Sequence, residues 1–348
     1  MLVALGNYKG KQVSFDTETA LNQHILILGK SGSGKSVQAQ KIITGLSQQE
    51  KTVVVFDLHS IASEEQIFPL YREAFTNDAH EVDVYHEGLS CNLFLPLTFS
   101  DGETEKQIDT VGAVVDMISR ATKLGTGQRA VLRRAVSLVA ENGEYDIFGF
   151  SAIDRALSGE GTVAAEAVRE KLYPLTAHNI FRPGSTFIEM GKINIIRLSK
   201  FDLETQGIVA ELLLSYFWRV AVTSEFCGQG IFIFLDEFQN LPSGKEGAVS
   251  QILSEGRKFN INLILATQQF EAKSASSLHQ KLMQCGLILL FHPNTAQAGT
   301  LARIIDSGAA KNWTQVLQTL DRGEFISIGP MLLDNILIRK PLRLSSRV

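Results

Sequence analysis

The segment Gly29-Lys30-Ser31-Gly32-Ser33-Gly34-Lys35-Ser36 has the spacing GxxxxGK followed by Ser or Thr. Its glycines let backbone N–H groups wrap a row of phosphates with no Cβ in the way. An apolar run at residues 25–28 precedes it and a helical stretch at 37–46 follows. The loop therefore opens a helix whose N-terminus favours an anion. In that setting Lys35 reaches the β- and γ-phosphates of a nucleoside triphosphate, and the Ser36 hydroxyl ligates Mg²⁺. The residues expected to cradle the nucleotide are Gly29, Lys30, Ser31, Gly32, Ser33, Gly34, Lys35, Ser36 and Val37.

A second constellation follows the apolar run at 231–235, which ends directly in Asp236-Glu237. Two adjacent carboxylates at the end of a buried strand are costly unless charge is needed there. Asp236 is read as holding the Mg²⁺, directly or through water. Glu237 is read as orienting and deprotonating the attacking water. Gln268 ends another apolar run, 263–266, and is read either as touching the γ-phosphate or its water, or as a turn residue. Arg257 sits between a helix at 249–254 and that run. It either stabilises a transition state in a neighbouring subunit or decorates a helix C-terminus. Asp57, after the run at 53–56, supports the metal site or a protein contact, or caps a turn with His59 and Ser60.

These groups need a scaffold that brings strand ends together. Six short apolar runs, at 25–28, 53–56, 193–198, 231–235, 263–266 and 287–291, are mostly continuous rather than alternating, as in strands covered on both faces. Helical stretches separate them. The reading is an α/β fold with a doubly wound, mostly parallel sheet. The interval from about 100 to 182 breaks the rhythm. In 105–120, Ile108, Val111, Val115 and Ile118 fall on one helical face. In 128–142, Val131, Leu132, Ala135, Val136 and Val139 do the same. Further helices are expected at 152–157 and 162–172. Residues 100–182 are thus an all-α insertion, and 1–99 with 183–348 form the ATPase core. The tail from Gly323 alternates as strands, and 337–344 is expected to pair with it as a C-terminal β-hairpin.

The 348 residues carry 33 Lys+Arg and 37 Asp+Glu, a net charge of −4. That excludes a histone-like coating protein but not a local basic lining. With 45% hydrophobic residues the chain can bury a sizeable core. Three cysteines (Cys91, Cys227, Cys285) stand too far apart for a zinc knuckle or a readable disulfide framework. No signal peptide or membrane span is read, and Glu211 and Arg219 interrupt the most apolar stretch, 208–222. A soluble, cytoplasmic setting is expected.

Five segments together resemble the HerA/FtsK superfamily of hexameric P-loop pumping ATPases, nearest its HerA-like branch. They are HILILGKSGSGKS (24–36), VVVFDLH (53–59), IFIFLDEFQNL (231–241), SEGRKFNINLILATQ (254–268) and LDRGEFISIG (320–329). The resemblance implies a RecA-like core, ATP bound between subunits of a ring of six, and Arg257 acting in trans. It also implies duplex DNA threading the pore and ATP-driven translocation beside a nuclease or other effector, as in a defence, repair or mobile-element complex. The N-terminal β-barrel usual in HerA proteins, the membrane anchor of coupling proteins and the winged helix of the FtsK type find no counterpart, so the expectation is a motor core alone.

Two other functions share this core. A secretion or conjugation motor would bind a membrane machine and ignore DNA. A nucleotide-gated scaffold would turn over slowly. Candidate DNA contacts are Lys123, Arg129, Arg133 and Arg134, for which a solvated helix face is the stronger reading. Arg257–Lys258, Arg339, Lys340, Arg343 and Arg347 are the others, with 244–247 as a mobile pore loop. Trp218 and Trp313 read as core.

Overall fold

The computed structural model describes residues 1–99, 101–184, 187–223, 230–241, 247–268 and 277–346. The strands are β1 (Leu2–Tyr8), β2 (Lys11–Asp16), β3 (Ile25–Leu28), β4 (Thr52–Asp57), β5 (His80–Asp83), β6 (Leu89–Ser90), β7 (Phe181–Arg182) and β8 (Ile193–Arg197). They continue with β9 (Ile231–Asp236), β10 (Ile261–Thr267), β11 (Leu287–Phe291), β12 (Glu324–Ile328), β13 (Met331–Leu333), β14 (Ile336–Ile338) and β15 (Leu342–Ser345). All but the short pair β6–β7 join one sheet, in the order β14-β13-β2-β1-β15-β12-β11-β3-β10-β9-β4-β8-β5.

The half of the sheet from β11 to β5 is parallel throughout. Its central strands are buried along their whole length, as the continuous β-branched and aromatic runs require. Their side chains divide by the period of two. Leu26, Leu28, Val54 and Phe56 face one core. Ile25, Ile27, Val53 and Val55 face the other. The first core holds the long helix Leu203–Val222 and the helices Gln107–Ala121, Thr126–Glu141, Phe150–Glu160 and Val163–Ala177. The second holds the helix Lys35–Ser47. An aromatic such as Phe234, fully buried between strand neighbours, stabilises by about 3–5 kcal/mol relative to alanine.

From β12 outward the sheet is antiparallel. The N-terminal segment supplies β1 and β2 to this wing. The tail is more elaborate than one hairpin. Residues 342–345 pair with β12, whereas 336–338 pair with β13, which lies beside β2. A left-handed turn at Asp334 and Asn335 joins β13 to β14.

One helical-face reading is corrected. Ile108 is 74% exposed, while Val111, Val114, Val115, Met117 and Ile118 are buried. Ile108 lies in the first turn of its helix, next to the exposed Lys106, Gln107 and Asp109. Among the basic residues of this region, Arg129 pairs with Asp116, and Arg134 is held by Glu160 at 2.8 Å. Arg343 is likewise held by Glu324 at 2.6 Å. Trp218 packs edge-on against Phe259 and, like Trp313, is partly buried against the core. No described helix is long and apolar enough to cross a membrane. Residues 244–246, Arg347 and Cys227 lie outside the described residues.

Candidate nucleotide-binding site

The loop between β3 and the helix Lys35–Ser47 is fixed by backbone bonds to its neighbours. Gly29 N–H donates to the Thr267 carbonyl (3.3 Å) and Lys30 N–H to the His292 carbonyl (2.9 Å). The Ser33 hydroxyl (2.7 Å) and Lys35 Nζ (3.2 Å) both donate to the Lys30 carbonyl inside the loop. Two glycines are obligatory for packing. A Cβ on Gly29 would lie 2.6 Å from Phe291 Cβ. Gly34 has φ 113°, and a Cβ there would lie 3.1 Å from Gly323 N. No side chain caps the helix that follows, so its first N–H groups remain available to an anion.

Across the cavity, β9 delivers Asp236 and the next residue turns the chain. Glu237 is left-handed (φ 48°, ψ 41°), a conformation costing a non-glycine residue about 1–2 kcal/mol. Its backbone N–H donates to Asp236 Oδ1 (3.0 Å). Its carboxylate accepts from Gln239 Nε2 (2.6 Å) and from the Gln268 backbone N–H (3.2 Å). The Gln239 carbonyl oxygen in turn accepts from the Thr267 hydroxyl. Gln239 thus ties the ends of β9 and β10. Sequence reasoning gave it no role, because its second partner, Thr267, lies 28 residues away.

Burial lowers the Lys35 pKa, against the opposing pull of Glu237 and Asp236. Burial, and then the Glu237 charge, raise that of Asp236. One lysine thus faces two carboxylates, a site with negative charge to spare for a cation. The donors available, the Ser36 hydroxyl and the Asp236 carboxylate, are hard oxygens. They fit Mg²⁺, which keeps waters and takes phosphate oxygens rather than a full protein cage.

An open-sided cavity of about 490 Å³ is lined by Ser31, Gly32, Gly34, Lys35, Ser36 and Val37 from the loop, and by Asp236, Glu237 and Gln268. Gly29, Lys30 and Ser33, also expected to cradle the nucleotide, are not among the lining residues. Residues 65–69 and Arg322 complete the lining, which no sequence signal indicated. The Gln40 carboxamide pins that first segment to the helix, donating to the Gln66 carbonyl (3.1 Å) and accepting from Phe68 N–H (2.9 Å).

Two sequence candidates lie apart. Asp57 is fully buried beside Arg197, at 3.1 Å, and Arg197 also holds Glu81. Its partners are the Arg197 guanidinium and the backbone of Ile61 and Ala62 in the turn that follows, not His59 and Ser60. Burial raises the Asp57 pKa, with Arg197 opposing. Arg257 is exposed on the turn Gly256–Phe259, before the start of β10, whereas Gln268 follows the end of the same strand. Seven strand residues separate the two by about 23 Å. Arg257 cannot serve the cavity of its own copy.

The family model for the central domain of the helicase HerA matches residues 3–216. A probable helicase of Methanocaldococcus jannaschii is 21% identical over 352 residues, which cover 92% of this chain and 63% of that relative. The chain therefore spans less than two thirds of that curated relative. VirB4 of Thermoanaerobacter pseudethanolicus superposes with a TM-score of 0.73 at 14% identity, over 99% of this chain and 96% of that one. The bacterial conjugative coupling protein TrwB in its unbound form gives 0.66 at 14%, over 98% and 89%. TrwB in complex with ADP and Mg²⁺ gives 0.61 at 15%, over 93% and 85%. At such identities these likenesses establish the fold. The family match covers well over half the sequence, and the chain belongs to the HerA central-domain family of HerA/FtsK-type P-loop ATPases.

Proposed function

We propose that this protein is an ATP-hydrolysing ring motor that translocates double-stranded DNA, the power unit of a defence, repair or mobile-element complex with a nuclease or other effector. The observation that carries the reading is the division of one catalytic set between two ends of the sheet. Lys35, Ser36, Asp236, Glu237 and Gln268 meet in one cavity, while Arg257 stands at the opposite end of β10. Such a set is completed by a second copy that brings its own Arg257 to the cavity, and repetition of that contact closes a ring.

In this mechanism Lys35 and the loop N–H groups hold the β- and γ-phosphates of ATP. Ser36 and Asp236 would hold Mg²⁺, which would neutralise charge on the phosphate oxygens. Glu237 accepts a proton from the water whose oxygen bonds to the γ-phosphorus. The bond to the β–γ bridging oxygen breaks, and ADP and phosphate leave. Gln268, tied to Glu237 through its backbone, senses the γ-phosphate. The turnover moves subunits that grip the duplex.

The test is phosphate release by the purified protein, with and without duplex DNA, alongside the native mass with and without ATP. Release that rises with duplex and with assembly supports the motor. No release in any assembly state, whatever polynucleotide is added, removes the reading.

A further inference from the structure

The turn at 320–324 is built from the far end of the chain, yet it is locked onto the phosphate loop. Gly323 N–H donates to the Ser33 carbonyl at 2.9 Å, and a Cβ on Gly34, which itself sits at φ 113°, would meet the Gly323 backbone at a tight 3.1 Å. On its other side the Ser346 N–H (2.8 Å) and hydroxyl (2.9 Å) donate to the Gly323 carbonyl. His292 Nδ1 lies 2.9 Å from the Leu320 carbonyl, and the carbonyl of His292 accepts the Lys30 N–H. Asp321 N–H donates to Glu324 Oε2 (2.9 Å), and Glu324 is held by Arg343. The backbone at Arg322 is thus fixed on both flanks, while its side chain is exposed and lines the cavity.

Charge and topology give that side chain a task. The cavity is lined by Glu65, Asp236 and Glu237, against Lys35 and Arg322 as the lining cations. Lys35 is buried, donates to the Lys30 carbonyl at 3.2 Å, and feels the charges of Glu237 and Asp236, so it is a single cation among the acidic lining at that end of the cavity. A nucleoside triphosphate adds several negative charges to this acidic site. Because β12 runs antiparallel to β11, Arg322 enters from the β11 side of the loop. Asp236 enters from the β9 side, with β10 and β3 between. A guanidinium there can grip phosphate oxygens in two parallel bonds without competing for the metal or the water.

We propose that Arg322 is a phosphate-binding residue for the nucleotide held by its own copy, distinct from Arg257, which serves a neighbour. This rests on the nucleotide reading of the cavity.

The experiment measures ADP, ATP and adenosine affinities for the wild-type chain, Arg322→Ala, Arg322→Lys and Lys35→Ala. Arg322→Ala is expected to weaken ADP and ATP by about tenfold or more, the loss typical of a bond to a charged group. Arg322→Lys should recover part of the loss, adenosine affinity should not change, and the ligand-free melting temperature should not move. Mixing Arg322→Ala with Lys35→Ala copies should restore nothing, since Arg322 acts within its own copy. Unchanged ADP affinity in Arg322→Ala, an equal loss for adenosine, recovery on mixing, or a lowered ligand-free melt in both Arg322 variants would each overturn the proposal while leaving the cavity's reading intact. Failure of the wild-type chain to bind ADP would overturn both.

Discussion

The Glu237 carboxylate accepts the backbone N–H of Gln268 at 3.2 Å, joining the ends of β9 and β10 across the cavity. A glutamine at 237 can keep this bond through its carbonyl oxygen but cannot accept a proton from water. Glu237→Gln should therefore retain nucleotide affinity and lose turnover by about 10²–10⁴-fold, the usual span of general-base effects. Steady-state phosphate release beside an equilibrium binding measurement checks it. Turnover near the wild-type rate would remove Glu237 from the role of base.

Gln239 orients that carboxylate from the side, through Nε2, while its carbonyl oxygen takes the Thr267 hydroxyl. It touches no reacting atom, so it acts through Glu237. Gln239→Ala should lower kcat by about tenfold, roughly the worth of one charge-assisted hydrogen bond, with KM unchanged. Gln239→Glu should not restore it, because a second carboxylate would repel Glu237. A rise in KM with kcat intact would place Gln239 at the nucleotide instead.

Arg257 makes its prediction through position. Its exposure leaves folding indifferent to its loss, so Arg257→Ala should melt like the wild type. Turnover of the assembled protein should fall by about 10³-fold or more if the guanidinium completes a neighbour's site. Mixing Arg257→Ala with Glu237→Gln copies, each inactive alone, should regenerate seams that hold both an intact Glu237 and an intact Arg257. No recovery, together with a mild single-variant effect, would return Arg257 to a helix-end role.

The parallel half of the sheet was legible because its strands are covered on both faces and so read as unbroken apolar runs. β5 was missed, since at the sheet edge only Val82 of its four residues is buried. β1 and β2 were missed for a related reason. Each has exposed residues among its buried ones, and their pairing with β13 and β15 is set by tertiary contact. The cavity's loop and acidic pair were readable because each is contiguous in sequence. Arg322, Gln40, Gln239 and the Arg197 partner of Asp57 were not. Their roles arise from juxtapositions such as Gly34 with Gly323, which no local spacing encodes. Ile108 shows the converse failure. Helical periodicity finds a face but not where the element packed against that face ends.

His24 gives a stability prediction with a definite sign. It is 1% exposed, its Nδ1 accepts the Leu263 N–H at 3.1 Å, and burial lowers its pKa from 6.5 to about 4. The folded state therefore refuses a proton that the unfolded chain accepts. The stability due to neutral His24 is complete above about pH 6.5. It declines as pH falls toward 4, by about 3 kcal/mol in all. The buried carboxyls of Asp57, Asp236 and Glu211, raised by burial, act in the opposite direction, so the wild-type curve alone does not isolate the histidine. A difference does. His24→Gln keeps those carboxyls and cannot titrate. Its urea midpoint should lie below the wild type at about pH 7, and the gap should narrow steadily as pH falls from about 6.5 toward 4. A gap that stays constant across this range would show that the imidazole holds its proton in both states alike.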